Sequence, residues 1–230
     1  MGNINIGDLV IWFVVFLFSL SVHEAAHAWT SERFGDDTGR HMGRITLNPL
    51  PHIDPIGTIV FPLIGMLSGG IAMFGWAKPV MTNPLLWRDK TKANIMVSAA
   101  GPISNFILVV IAFVVLKALL VSDVVAPARS LSYFSLVTPV AAQAAILEPL
   151  SKLLSIMLLL NTTLGVFNLI PIPPLDGSHV LESILPYEMA KAYEQIQPYG
   201  FILLIALMFT GVFGMILVPI LNFVVRLLLT

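Results

Sequence analysis

The sequence predicts an all-α polytopic membrane protein, a bundle of about five to six transmembrane helices with a small extended segment and a re-entrant hairpin. Three observations carry that prediction. Of 230 residues, 57% are hydrophobic and only 11% charged, with a mean hydropathy of +0.90, whereas a soluble domain carries roughly 25% charged residues. Apolar runs close to the roughly 20 residues needed to span a bilayer recur along the chain. The polar connections between them are short, with no repeat and no low-complexity tract. A net charge of −1 without any basic cluster points to no nucleic-acid partner. With no cysteine there is no disulfide framework, thiolate metal site or Cys nucleophile.

The first apolar run extends from Leu9 to Trp29. It has no Lys or Arg before it and no small-x-small cleavage pattern after it, so it reads as a retained span and not as a signal peptide. Thr30 to Asp54 is polar, and its part from Gly39 to Asn48 is the candidate extended segment. Ile56 to Trp76 is apolar but rich in glycine, and Ala77 to Lys92 is a basic loop. Ala93 to Val121 reads as a span, Ser122 to Lys152 as a mixed stretch unsuited to crossing, and Leu153 to Ile170 as another span. Phe201 to Leu229, interrupted by Gly211, Gly214 and Pro219, reads as one or two packing helices. The whole, 1–230, is expected to be one domain, with a catalytic core over about 9–181 and C-terminal helices over about 199–229.

The chemistry is concentrated in His23-Glu24-Ala25-Ala26-His27, inside the first run. Ionisable groups are costly in hydrocarbon and functional where they persist. On a helix, His23 and His27 share one face and can present two imidazoles to one ion. Glu24 projects about 100° away, free to act on water without being a ligand. Zinc suits two imidazoles and a carboxylate with a fourth position open. The same residues read otherwise would form a polar face that packs on other helices or lines a water channel. His23 lies six residues before Trp29, roughly 9 Å below the boundary at 1.5 Å per residue, so water must enter a recess near one face.

The best candidate for the missing carboxylate is Asp176, in Asn168-Leu169-Ile170-Pro171-Ile172-Pro173-Pro174-Leu175-Asp176-Gly177. Its prolines stop the preceding helix, and irregular backbone near membrane depth is tolerated only where it is buried or lines a cavity. The alternative is a surface turn at an ordinary helix exit.

Taken together, His23-Glu24-x-x-His27, Ala99-Ala100-Gly101-Pro102-x-x-Asn105, and Asn168-x-x-Pro171 leading to Pro174-x-Asp176-Gly177 resemble the site-2 protease family of intramembrane zinc metalloproteases, over about Ser19 to Leu181. The resemblance is to a minimal form without a PDZ domain. It implies one Zn²⁺ per chain held by His23, His27 and Asp176, Glu24 as catalytic base toward a zinc-bound water, and Asn168 as a group that positions or polarises the substrate carbonyl. It further implies a transmembrane protein as substrate, a lipid bilayer as surroundings, and a multi-pass location in the cell membrane.

That chemistry constrains topology. The first span and the span ending at Ile170 must run in the same direction, so an odd number of crossings separates them. Ala93 to Val121 is one. Ile56 to Trp76 is then most simply a re-entrant hairpin turning at Gly65 to Gly70. Arg33, Arg40, Arg44, Lys78, Arg88, Lys90 and Lys92 fall on the active-site side, which the positive-inside rule makes cytoplasmic.

Gly39 to Asn48 offers either an edge to which an extended substrate can add or a plain surface loop. His41 is expected to be solvated. His52 either lines the site or makes a local turn contact, and His179 is a candidate neighbour of the ligands. A metal transporter or permease would place ionisable groups on several helices near the midplane, often in repeated halves, and no such repeat is present. An inactive scaffold is disfavoured because every catalytic position is filled.

Overall fold

The computed structural model describes residues 5–67, 75–140 and 144–230. Its elements in order are α1 (Ile6–Arg33), a short α2 (Thr38–His41), α3 (Phe61–Leu67) after π-helical turns at Pro55–Val60, α4 (Lys90–Val121), strands β1 (Val125–Ser132) and β2 (Ser135–Pro139), α5 (Ala144–Asn168), α6 (Asp176–Ile184), α7 (Tyr187–Glu194), α8 (Gly200–Phe209) and α9 (Val212–Leu229). The expected all-α polytopic class holds. Among the described residues, α1, α4, α5 and α9 are long and apolar enough to cross a membrane. The apolar α8 is shorter: its 10 residues extend about 15 Å at 1.5 Å per residue, half of a hydrocarbon core.

Side-chain pairs fix the directions of the helices. Near the starts of α1 and α5, Lys152 lies 2.9 Å from Asp8 and 3.0 Å from Glu148, so these two helices are parallel, as the chemistry required. Along α1 the partners of His23 and His27 on α4 fall from Asn105 to Val97, so α4 is antiparallel to α1. Lys117 donates to the Leu228 carbonyl at 3.0 Å, which sets α9 parallel to α4.

The bundle is built for lipid. Outward, α4 exposes Ile103, Ile107, Val110, Ile111 and Val114. Inward it buries Gly101, Ser104, Asn105 and Ala112, small and polar residues that let helices approach and bond where no water competes. Trp12, Val15 and Phe16 of α1 pack on Ile156 and Leu160 of α5. At the end remote from His23, Ala112, Leu116, Leu154 and Leu158 meet Val125, Leu136 and Val137 of the hairpin and Leu228 of α9. The hairpin pairs Val125 with Pro139 and Ser132 with Ser135, with an irregularity between Pro127 and Ser132.

This hairpin is the extended element, and Gly39–Asn48 is not. Backbone groups there bond locally and have no ladder to join. Thr38–His41 closes a helical turn, Gly43 takes a left-handed φ of 66°, Thr46 offers its carbonyl to the His52 ring at 3.1 Å, and Asn48 accepts from the Leu50 N–H at 3.1 Å. Buried Arg44 takes the carbonyls of Pro51 and Lys78.

The two ends of the Ile56–Trp76 segment meet. The Trp76 N–H donates to the Gly57 carbonyl at 3.1 Å, and the Thr58 hydroxyl donates to the Trp76 carbonyl at 2.8 Å. Its two ends therefore lie side by side, as a re-entrant hairpin requires; Ser68, Gly69 and Gly70 of the expected turn lie outside the described residues. From there Ala77–Asn83 runs as a strap across the end of α1. The Lys78 N–H bonds the His52 carbonyl at 2.9 Å, the Val80 N–H bonds Glu24 at 2.9 Å, and the Asn83 N–H bonds Asp36 at 2.7 Å.

Candidate metal centre

One helical turn apart on α1, His23 and His27 bring their Nε2 atoms to 3.1 Å. Asp176, the first residue of α6, completes a triangle: its carboxylate lies 3.2 Å from His23 Nε2 and 3.4 Å from His27 Nε2. Two glycines permit this approach. A methyl at Gly101 of α4 would overlap both imidazoles, and one at Gly177 would overlap the Leu169 carbonyl where α6 folds back on the end of α5. The prolines at 171, 173 and 174 make that fold-back by ending α5 and leaving the chain irregular up to Leu175.

Protons decide what the triangle can hold. His27 Nδ1 faces the Val97 carbonyl at 2.7 Å, and a carbonyl only accepts, so Nδ1 carries a hydrogen and, in the neutral ring, Nε2 is a bare lone pair. His23 Nδ1 is likewise engaged, with Asn105 Oδ1 at 2.7 Å. Asp176 Oδ2 is buried and has no hydrogen-bond partner. With both imidazoles neutral and protonated at Nδ1, three acceptors face one another and repel, and a cation removes the repulsion. Ligands 2.0–2.1 Å from a tetrahedral zinc are separated by about 3.3 Å, and the observed edges run from 3.1 to 3.4 Å. The residues fit zinc, with a fourth position free.

Glu24 lies off this triangle, its carboxylate held by the Val80 N–H. Asn168, the last residue of α5, donates one amide hydrogen to the Leu164 carbonyl at 3.0 Å. His52 is buried and makes the local turn contact to Thr46; burial pushes its pKa down, so the ring is neutral at pH 7. His41 is exposed beside Asp37 at 3.2 Å. His179 points to Glu182, 3.9 Å away, on an exposed face, and its backbone carbonyl accepts from Asn94. For His179, three residues after Asp176, the ring contact found among the described residues is the one to Glu182 and not one to a ligand. Sequence reasoning missed the anchors of the imidazoles on α4, Val97 and the individual part of Asn105. The signal available was a buried Asn in an apolar run.

Fold and site together define a class: a multi-pass membrane protein whose first span carries a His-Glu-x-x-His pair facing a carboxylate. Residues 11–211 match peptidase family M50, and the chain belongs to that family, the site-2 proteases, as a zinc metalloprotease. It is 36% identical over 209 residues to YwhC of Bacillus subtilis, named as a candidate zinc metalloprotease, across 91% of this chain and 84% of that protein. Candidate zinc metalloproteases named Rip2 match at 29% over 205 residues in Mycolicibacterium smegmatis (89% of this chain, 69% of that one) and at 28% over 205 residues in Mycobacterium tuberculosis (87% and 67%). No solved structure matches the chain.

Proposed function

We propose that this protein hydrolyses peptide bonds in or near transmembrane segments of other membrane proteins, as one catalytic unit in the cell membrane whose recess opens to the cytoplasm. The observation that carries the reading is the convergence of His23 Nε2, His27 Nε2 and the Asp176 carboxylate, whose ligand atoms lie within 4.8 Å of one another. These three residues hold one Zn²⁺. Zinc bound there supplies Lewis acidity, polarising a peptide carbonyl and making water nucleophilic near pH 7.

The chain's own groups do the rest. Glu24 takes the proton of the attacking water and returns it to the leaving amine. The Val80 N–H holds the Glu24 carboxylate in one orientation. Asn168 uses the amide hydrogen that Leu164 does not hold to stabilise charge developing on the substrate carbonyl oxygen. Spans packed around the recess keep bulk water out while admitting it from one face.

The test is cleavage of a transmembrane substrate by purified zinc-loaded protein beside its Glu24→Gln variant. The variant should bind zinc as wild type does and cleave about 10²- to 10⁴-fold more slowly, the range of a lost general base. Equal cleavage by both would sink the proposal. Zinc bound by both with cleavage by neither would point to a scaffold or a transporter.

A further inference from the structure

We infer that Asn161, on a third span and out of reach of the metal, is a positioning residue that fixes which nitrogen of His23 is free to bind zinc. This rests on the assignment of His23, His27 and Asp176 as zinc ligands. An Asn side chain ends in an oxygen and a nitrogen of similar shape, so Asn105 can face His23 with either. With Oδ1 toward the ring, His23 Nδ1 carries the proton and Nε2 is a bare ligand. With Nδ2 toward the ring, Nδ1 must accept, the proton moves to Nε2, and the ligand position is blocked.

Asn105 has no main-chain contact that settles the matter; its Nδ2 donates to Asn161 Oδ1 at 2.8 Å. Asn161 does have one. Its Nδ2 donates to the Met157 carbonyl at 2.9 Å and to Ser19 Oγ at 2.9 Å. Because a carbonyl cannot donate, the Met157 carbonyl admits only Nδ2 of Asn161. Asn161 Oδ1 therefore faces Asn105, Asn105 must answer with Nδ2, and its Oδ1 is left for His23 Nδ1 at 2.7 Å. Direction passes from a backbone carbonyl of α5 through two amides to a ring on α1. Asn105, Asn161 and Ser19 are all 0% exposed, so no water can relay the bonds in reverse. His27 needs no relay, because the Val97 carbonyl fixes its tautomer directly.

The test is a rescue. Asn161→Leu keeps the apolar volume but frees Asn105 to turn, and zinc affinity, measured by chelator competition, should fall about 10- to 100-fold, as for other groups that orient a ligand. Adding Asn105→Asp should restore affinity to within a few-fold of wild type, because a carboxylate presents an oxygen to His23 whichever way it turns. A purely structural role for Asn161 would lower thermal stability, leave zinc affinity alone and gain nothing from Asn105→Asp. Unchanged affinity in Asn161→Leu, or a folded double variant that stays weak, overturns the inference. The tautomer is also readable in the unaltered protein without metal. Nitrogen NMR shifts should show His23 protonated at Nδ1, and protonation at Nε2 would overturn the inference even if the variants fail to fold. Failure of wild-type protein to bind zinc would instead refute the assignment of the ligands.

Discussion

The backbone N–H of Val80 donates to the carboxylate of Glu24 at 2.9 Å, so the proposed catalytic base is oriented by a loop and not by its own helix. A main-chain donor can be deleted without touching Glu24. Val80→Pro removes it, and a hydrogen bond to a charged group contributes about 1.5–3 kcal/mol, which corresponds to roughly a 10- to 100-fold fall in kcat at 1.4 kcal/mol per decade. Zinc content should not change, because among the described residues the strap's N–H bonds go to Glu24, His52 and Asp36 and not to the ligands. Measured kcat for a transmembrane substrate equal to wild type would show that Glu24 orients without the strap.

Gly101 gives a second prediction. An added methyl would overlap the ring atoms of both His23 and His27, and these rings are held from behind by Asn105 and Val97. They cannot retreat without giving up those bonds. Gly101→Ala should therefore bind less than about one tenth of the zinc that wild type does at equal free metal, while remaining helical, since Ala is the best helix former. Metal analysis after gel filtration, with circular dichroism alongside, checks both halves.

Range along the chain separates the features that the sequence discloses from those it hides. His23, Glu24 and His27 are legible because helical spacing is local: four residues always put two side chains on one face. Asp176 is legible because three prolines and a glycine mark a broken backbone near membrane depth, and the parallel course of α1 and α5 follows from needing it beside His23. Asn105 pairing with Asn161 is not legible, because it depends on how far α4 slides along α5, which no local pattern encodes. Gly39–Asn48 misleads for the same reason. Backbone partners there include the His52 ring on the Thr46 carbonyl, the Thr46 hydroxyl on the Asn48 N–H and the Gly39 carbonyl on the Arg44 N–H, and side-chain or local capture of backbone cannot be told from strand pairing by composition. The true strands contain Pro127 and end at Pro139, and proline argues against a strand when no partner is known.

Asp36 is buried at the other end of the strap, accepting from Ser31, Thr38 and Asn83. Burial alone would raise its pKa, but these bonds outweigh it and hold the carboxyl below its ordinary value of 3.8. The folded state therefore binds this proton more weakly than the unfolded state. The stability so contributed is fully present above the unfolded value and is lost as pH falls through the folded one. Asp36→Asn, which turns an N–H₂ toward donors, should cost about 1–3 kcal/mol at pH 7. The gap in thermal midpoint between wild type and variant should narrow below about pH 4. A gap that is the same at pH 7 and about pH 3.5 would show that Asp36 does not act as an anion.

The side on which the recess opens can be read with thiols, because the chain has no cysteine of its own. Helix directions put Arg33, Arg40, Arg44, Lys78, Arg88, Lys90, Lys92 and Lys191 at the active-site end, leaving Lys117, Arg129, Lys152 and Arg226 at the other, 8 of the 12 basic residues against 4. The minority is also partly neutralised, since Lys152 is paired with Asp8 and Glu148. Basic residues beside spans stay in the cytoplasm, so the larger group sets the orientation. Lys90 and Arg129 are both exposed; Lys90 opens α4, a helix of 32 residues, about 48 Å long at 1.5 Å per residue, and Arg129 lies in β1, which follows the other end of that helix. In intact cells a membrane-impermeant maleimide should label Arg129→Cys and spare Lys90→Cys, which should react only once the membrane is opened. The reverse pattern would put His23, Glu24 and the substrate's point of entry outside the cell. The positive-inside argument would then have failed against some stronger determinant of insertion.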